Sequence, residues 1–340
     1  MPSELLLDIK DLRVEFKVYG GILKVVEGVN FKVYQGEKVG LVGETGCGKT
    51  TTMKAILRIL PMPPARLTTG EIIFKDQNLM ALKDKDLRKV RGSGISMIFQ
   101  DPTAALNPVF TIGQQMEPII KNASPENKKL SKRELREKAL IPLREVALAD
   151  PERMLDSYPI QLSGGMRQRV CIGMALSTNP ELLIADEPGT SLDVTIQAQV
   201  LKLLRELVTR KGSSIILITH TLGIVREMTD RVYVMYAGNM VEVAPTRKLF
   251  AEPFHPYTRG LMDAVPKLTG GGIASGIPGR IPSYRDPPTG CRFHPRCPHV
   301  MDICRHEKPP GYLIGEDHEV ACFLYAQKVI ETEPQAMTVA

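Results

Sequence analysis

The feature that most restricts what this chain can become is one octapeptide, Gly43-Glu-Thr-Gly-Cys-Gly-Lys-Thr50. It follows the strand-like run EKVGLVG (37–43) and opens a helical stretch from Thr50 to Leu60 that Pro61, Pro63 and Pro64 stop. Its spacing fits G-x-x-x-x-G-K-[ST]. A strand feeding a glycine turn and then a helix is an α/β signature. Such a turn bares backbone N–H groups, and the helix start adds partial positive charge, so together they surround a polyphosphate. In this reading Lys49 reaches the β- and γ-phosphates and Thr50 ligates Mg²⁺. The plain alternative is a glycine turn with no ligand; the strand before it and the helix after it argue against that.

Residues 5–16 alternate apolar and polar, and GVNFKVY (28–34) reads as another strand before a turn at Gln35–Gly36. Between about Asn107 and Ser157 the pattern is helical and more basic, as in LSKRELREKALIPLREVALAD, which reads as an insert with a solvated face. Strand signals return at ELLIAD (181–186) and SSIILITH (213–220), flanking the helical TIQAQVLKLLRELVTR, a βαβ unit of a largely parallel sheet. The run Leu182-Leu-Ile-Ala-Asp-Glu187 ends in two adjacent carboxylates, as a phosphoryl-transfer site at the C-terminal edge of such a sheet requires. Asp186 is expected to hold the Mg²⁺ hydration shell and Glu187 to polarise the attacking water.

A second glycine turn, Leu162-Ser163-Gly164-Gly165-Met166, opens the helical RQRVCIGMAL and is a second potential anion site. One chain rarely needs two. The phosphate loop, Gln100 after ISMIF, LSGGM, LLIADE, Ser191-Leu-Asp193, and His220 after SSIILIT occur in the order that resembles the ABC-transporter ATPase family, over residues 5–250. The implied fold is an α/β P-loop NTPase (RecA-like) ABC ATPase core over 1–254, with a helical subdomain inserted at about 101–165. The resemblance further implies a head-to-tail dimer. ATP sits on Gly43, Glu44, Thr45, Gly46, Cys47, Gly48, Lys49, Thr50 and Thr51 of one subunit and under the 162–166 turn of the other, with Ser163 and Gly165 at the γ-phosphate. It makes Gln100 a Mg²⁺ ligand and a link to membrane subunits. Asp193 lines the dimer seam, and His220 contacts the γ-phosphate and stabilises the transition state. Tyr19, next to Gly20, is expected to stack on adenine, with Phe16 as rival. Met166 stands where the superfamily more often has Gln, Gly189 where Thr is usual, and Cys47 where Ser is usual. Near a helix N-terminus the Cys47 thiol is expected to have a lowered pKa and to be open to alkylation; the alternative is that Cys47 is simply a small filler residue.

Beyond Pro253 the composition shifts to Pro, Gly and Cys, and GGGIASGIPGRIPSYRDPPTG reads as a poorly structured tether to a small appendage, 255–340. Cys291, Cys297, Cys304 and Cys322 are spaced C-x5-C, C-x6-C and C-x17-C, which by spacing favours no single metal; four thiolates hold either zinc or a [4Fe–4S] cluster. His294, His299, His306 and His318 lie nearby as substitute ligands. The segments QDPTAALNP, LSGGMRQR, HPYTRGLMDAVP and RFHPRCP resemble ATP-binding subunits of dipeptide and oligopeptide importers, relatives of which serve nickel and oligosaccharides. That resemblance implies a C-terminal iron–sulfur cluster, with zinc as the alternative; an appendage this short has little core of its own, so a structural role is expected rather than redox catalysis. It also implies a homologous ATPase partner in a heterodimer, two transmembrane permeases and an extracytoplasmic solute-binding protein.

Composition excludes several other classes. No apolar run approaches the roughly 18 residues of a membrane span. The N-terminal segment lacks the basic and apolar regions of a secretory signal, so a cytosolic chain is expected, and the importer resemblance implies the inner membrane face. A net charge of +6 from 44 basic and 38 acidic residues lacks the dominant basic stripe of a nucleic-acid binder. Two rival functions are a soluble ABC ATPase scaffolding a phosphonate-degradation-like complex and a regulatory subunit that does not hydrolyse. Lys49, Gln100, Asp186, Glu187 and His220 together disfavour the second.

Overall fold

The computed structural model describes residues 4–123, 126–190, 192–264 and 276–327, with backbone only at 127 and 128. The chain divides into two compact units: residues 1–6, 33–38 and 74–218 form the first, and 7–32, 39–73 and 219–340 the second.

The first unit is built on three parallel strands in the order Ser214–Ile218, Leu182–Asp186, Ile95–Ile98. Leu182 pairs with Ser214 and Ile95, and Asp186 with Ile218. All five residues of Leu182–Asp186 are buried, as is expected of a parallel strand covered on both faces, and this explains its unbroken apolar run. The crossover helix Val194–Lys211 starts at Asp193, whose carboxylate accepts the Ile196 N–H at 3.0 Å, and ends at Gly212 in the left-handed region. It buries Val200, Leu201, Leu204, Leu207 and Val208, one helical stripe at roughly 1.5–3 kcal/mol per side chain. The insert is helical: Ile112–Ala123, Lys132–Glu145 and Pro151–Asp156 precede the helix Gly164–Leu176. A capping box between Ser131 and Glu134 starts the second of these, which explains why so charged a segment still nucleates a helix.

In the second unit the strands Gly21–Tyr34, Leu5–Val18 and Ala65–Phe74 lie side by side in that order. The first of them begins well before Gly28, because the turn at Tyr19–Gly20 and the left-handed Gly28 (φ 66°) interrupt its alternation without ending the strand. A further sheet orders Tyr312–Ile314, His318–Val320, Asn239–Pro245, Arg231–Tyr236 and Lys38–Val42. Lys38–Val42 runs parallel to Arg231–Tyr236, with Val39 opposite Arg231. Arg231–Tyr236 turns back through Ala237 (φ 44°) and Gly238 (φ 81°), a pair that suits a tight hairpin. The C-terminal segment adds its two short strands to this sheet, Val320 opposite Glu242. The helix after the phosphate loop covers Lys49–Ile56, shorter than the reading to Leu60, because Arg58 adopts a left-handed backbone (φ 49°) before the prolines are reached. Among the described residues no helix is long and apolar enough to cross a membrane.

Candidate nucleotide-binding and hydrolysis site

The octapeptide forms the link between the strand Lys38–Val42 and the helix Lys49–Ile56. Glycine is required at its first position: at Gly43 (φ 152°) a Cβ would stand 2.2 Å from the Met235 carbonyl oxygen. Gly48 (φ 109°) caps the helix with no side-chain acceptor, and the first turn holds no acidic residue, so no side chain competes with an anion for those N–H groups. Lys49 is buried, its ammonium donating to the carbonyls of Gly43 at 2.7 Å and Glu44 at 3.0 Å. The Gly238 N–H donates to the Cys47 carbonyl at 2.8 Å, fastening the loop to the neighbouring hairpin. Thr45 and Gly46 are exposed, and Thr50 and Thr51 are half-buried.

Cys47 is not the reactive thiol of one sequence reading, and its burial agrees with the other, a small filler residue. The thiol is fully buried, and burial pushes its pKa up, overriding the opposing pull of Lys49. Proximity to a helix N-terminus does not activate a thiol that no solvent reaches. Tyr19 is fully exposed in the turn after Leu5–Val18, where its carbonyl accepts Arg285 Nη2 at 3.2 Å; Phe16 is half-buried. His220, in the same unit, is exposed.

The first unit holds Gln100 and the two carboxylates expected from the sequence to serve hydrolysis. Asp186 and Glu187 are buried at the end of Leu182–Asp186. Glu187 adopts a left-handed backbone (φ 46°), and its N–H donates to the Ile218 carbonyl at 2.9 Å. Its Oε2 accepts the Gln100 side-chain amide at 3.1 Å and the Thr190 hydroxyl at 3.0 Å, so Gln100 and Glu187, 87 residues apart in sequence, meet. Thr190 was not singled out by sequence; its place three residues past Glu187 in a turn was the available signal. Ser163 caps the helix Gly164–Leu176, its hydroxyl accepting the Met166 N–H at 3.3 Å. Leu162 is buried while Ser163 and Gly164 are exposed, and a Cβ on Gly165 would stand 2.9 Å from Ile196 Cγ2. Asp193 is exposed at its cap position; Ser191 lies outside the described residues.

A family model described as ABC transporter matches residues 26–190, and one described as the oligopeptide/dipeptide transporter C-terminal region matches 241–304. The chain is 49% identical over 323 residues to a probable peptide ABC transporter ATP-binding protein of Sinorhizobium fredii, covering 94% of this chain and 95% of that one. The chain belongs to the ATP-binding subunits of ABC transporters. It is also 46% identical over 326 residues to the dipeptide transport ATP-binding protein DppD of Bacillus subtilis, covering 96% of each. Among solved structures, a dimeric ATP-binding cassette in a post-hydrolysis state with ADP and phosphate is 27% identical, with a TM-score of 0.63 over 71% of this chain and 99% of that one. The chain is thus an ABC ATPase with the P-loop NTPase cassette fold.

The described part of the tether read over 270–290, residues 276–290, carries no helix or strand yet is fastened to the second unit. Residues 265–275 lie outside the described residues, but within 276–327 the chain is pinned: the Lys24 N–H donates to the Tyr284 carbonyl at 2.8 Å, and Arg292 Nη1 donates to the carbonyls of Ala237 at 2.6 Å and Lys24 at 3.0 Å. Proline and glycine removed regular secondary structure without removing these tertiary bonds. Cys291, Cys297, Cys304 and Cys322 are all free thiols lining one small cavity, with the Cys291 N–H donating to the Cys304 carbonyl at 2.9 Å. Burial first, then mutual repulsion, pushes Cys291 and Cys322 up to about 11; burial also raises Cys297. Four soft donors around one cavity suit a soft metal chemically, yet among the described residues no group of three or more His, Cys, Asp or Glu is placed to hold a metal ion. His318 is committed elsewhere: buried, it pairs with Glu242 at 2.7 Å. His306 is exposed and stands 3.9 Å from Asp302, and His294 Nδ1 is 3.0 Å from the Cys291 carbonyl.

Proposed function

We propose that this chain is the ATP-hydrolysing motor subunit of an importer for dipeptides or oligopeptides, working at the cytoplasmic face of the cell membrane. The observation that carries hydrolysis, as distinct from nucleotide binding alone, is the Glu187 carboxylate held by Gln100 and Thr190 at the end of the strand Leu182–Asp186. In this reading the 43–51 segment binds the triphosphate, with Lys49 on its β- and γ-oxygens. Thr50, Asp186 and Gln100 hold Mg²⁺, and Glu187 takes the proton of the attacking water. Ser163 and Gly165 cap the nucleotide of an opposing subunit, His220 steadies the γ-phosphate, Asp193 lines the seam and Tyr19 stacks on adenine. Capping calls on a second ATPase subunit, here a homologous one in a heterodimer. Two permeases and a solute-binding protein supply the path and select the cargo.

The division into an ATPase domain (1–254, with a helical subdomain near 101–165) and an extension (255–340) belongs to the same proposal. So does an iron–sulfur cluster on Cys291, Cys297, Cys304 and Cys322, zinc being the alternative; its role is structural, joining short segments that bury little core of their own. No observation favours the scaffolding reading. Glu187→Gln is the decisive test. It should cut ATP turnover by at least about a hundredfold while MgATP binding persists; unchanged turnover would remove Glu187 from the base role.

A further inference from the structure

The extension grips the phosphate loop itself. Arg296 makes a two-pronged bridge to Glu44, Nη1 to Oε2 at 2.7 Å and Nη2 to Oε1 at 3.0 Å. The rest of its guanidinium is occupied by the carbonyls of Pro278 at 2.8 Å and Ile277 at 3.1 Å, and its side chain is only 5% exposed. Two tyrosines brace the same loop: the Tyr284 hydroxyl donates to the Gly46 carbonyl at 2.6 Å, and the Tyr257 hydroxyl accepts the Glu44 N–H at 2.8 Å.

A carboxylate in a loop made to receive a polyphosphate is an electrostatic liability, because it repels the anion that the loop N–H groups and Lys49 attract. Arg296 cancels that charge and, through a rigid planar fork, fixes where the Glu44 side chain lies. We infer that Arg296 is a positioning residue for nucleotide, neutralising Glu44 and holding the phosphate loop in its receptive shape, so that the C-terminal extension sets the affinity for ATP. This rests on the reading that residues 43–51 bind MgATP.

The test measures MgATP affinity and the split between KM and kcat for the full chain. Arg296→Ala should weaken MgATP binding and raise KM about tenfold with kcat changed less than about twofold, within the usual range of a coupling between two sites. Arg296→Lys, which keeps the charge and loses the fork, should recover most of the affinity. The discriminating variant is Arg296→Ala in a Glu44→Gln background. Read against Glu44→Gln alone, it should cost less than about twofold, because no carboxylate remains to be neutralised. Arg296→Gln in the same background carries the same comparison if the alanine variant does not fold. A tenfold loss that persists there would overturn the inference, as would an unchanged affinity in Arg296→Ala. Lys49→Ala measured in parallel separates the two readings. If the wild type captures MgATP and Lys49→Ala does not, the nucleotide site stands whatever Arg296 does; if the wild type captures none, the binding reading itself has failed.

Discussion

Two glycine turns in this molecule each open a helix, and they are finished in opposite ways. The Gly43–Thr50 turn is braced from several sides: Lys49 bonds its own loop carbonyls, Gly238 holds Cys47, and Tyr257, Tyr284 and Arg296 hold Glu44 and Gly46. The Leu162–Met166 turn has a buried anchor in Leu162 and a self-capped Ser163, with Ser163 and Gly164 left exposed. A preformed cradle lowers the ordering cost of binding, since its backbone dipoles need little rearrangement when the anion arrives. An open turn suits a surface that another molecule completes. In both, glycine is kept for close approach, but at Gly43 the neighbour is a backbone carbonyl and at Gly165 a side chain.

The comparison breaks most easily at Lys49. Lys49→Ala should abolish MgATP capture, a loss of at least about a hundredfold in affinity by equilibrium binding, since charge-assisted bonds to the triphosphate disappear. Retained capture would end the assignment of the first turn. A change at the second turn should act differently. Gly165→Leu should leave MgATP binding to the isolated chain within about twofold and eliminate turnover in the assembled transporter; equal loss of both would show that this turn serves its own chain's nucleotide.

Gly43→Ala probes the bracing itself. The added methyl meets the Met235 carbonyl, so chemical denaturation should show a loss of about 2–3 kcal/mol, and a stable, fully active variant would mean the turn is less confined than its geometry states. The smallest effect concerns Cys47. Its burial and raised pKa predict negligible maleimide labelling at neutral pH, with or without MgATP; mass-spectrometric mapping that finds it modified in minutes would show that the first turn opens.

Much of this was legible along the chain because the determinants are local. A strand, a glycine turn and a helix are successive in sequence, and Leu182–Asp186 is an uninterrupted apolar run ending in a carboxylate, so both could be placed without knowing what packs on them. The hairpin Arg231–Pro245 is harder to read, because Arg231–Tyr236 is an almost continuously buried run without alternation and its pairing with Asn239–Pro245 shifts register between Met240 and Glu242. The short strands Tyr312–Ile314 and His318–Val320 give too few residues for a period and exist because Asn239–Pro245 offers them an edge.

The order of motifs alone determined that this is a nucleotide-handling α/β chain of the ABC type, since anion binding at a strand–turn–helix junction is a property of contiguous backbone. Only the tertiary structure decided that Gln100 and Thr190 share the Glu187 carboxylate, that Cys47 is sealed from solvent, and that Arg296 reaches across 252 positions to Glu44. Burial and long-range pairing depend on which distant segments fold against a residue, and no spacing along the chain encodes that.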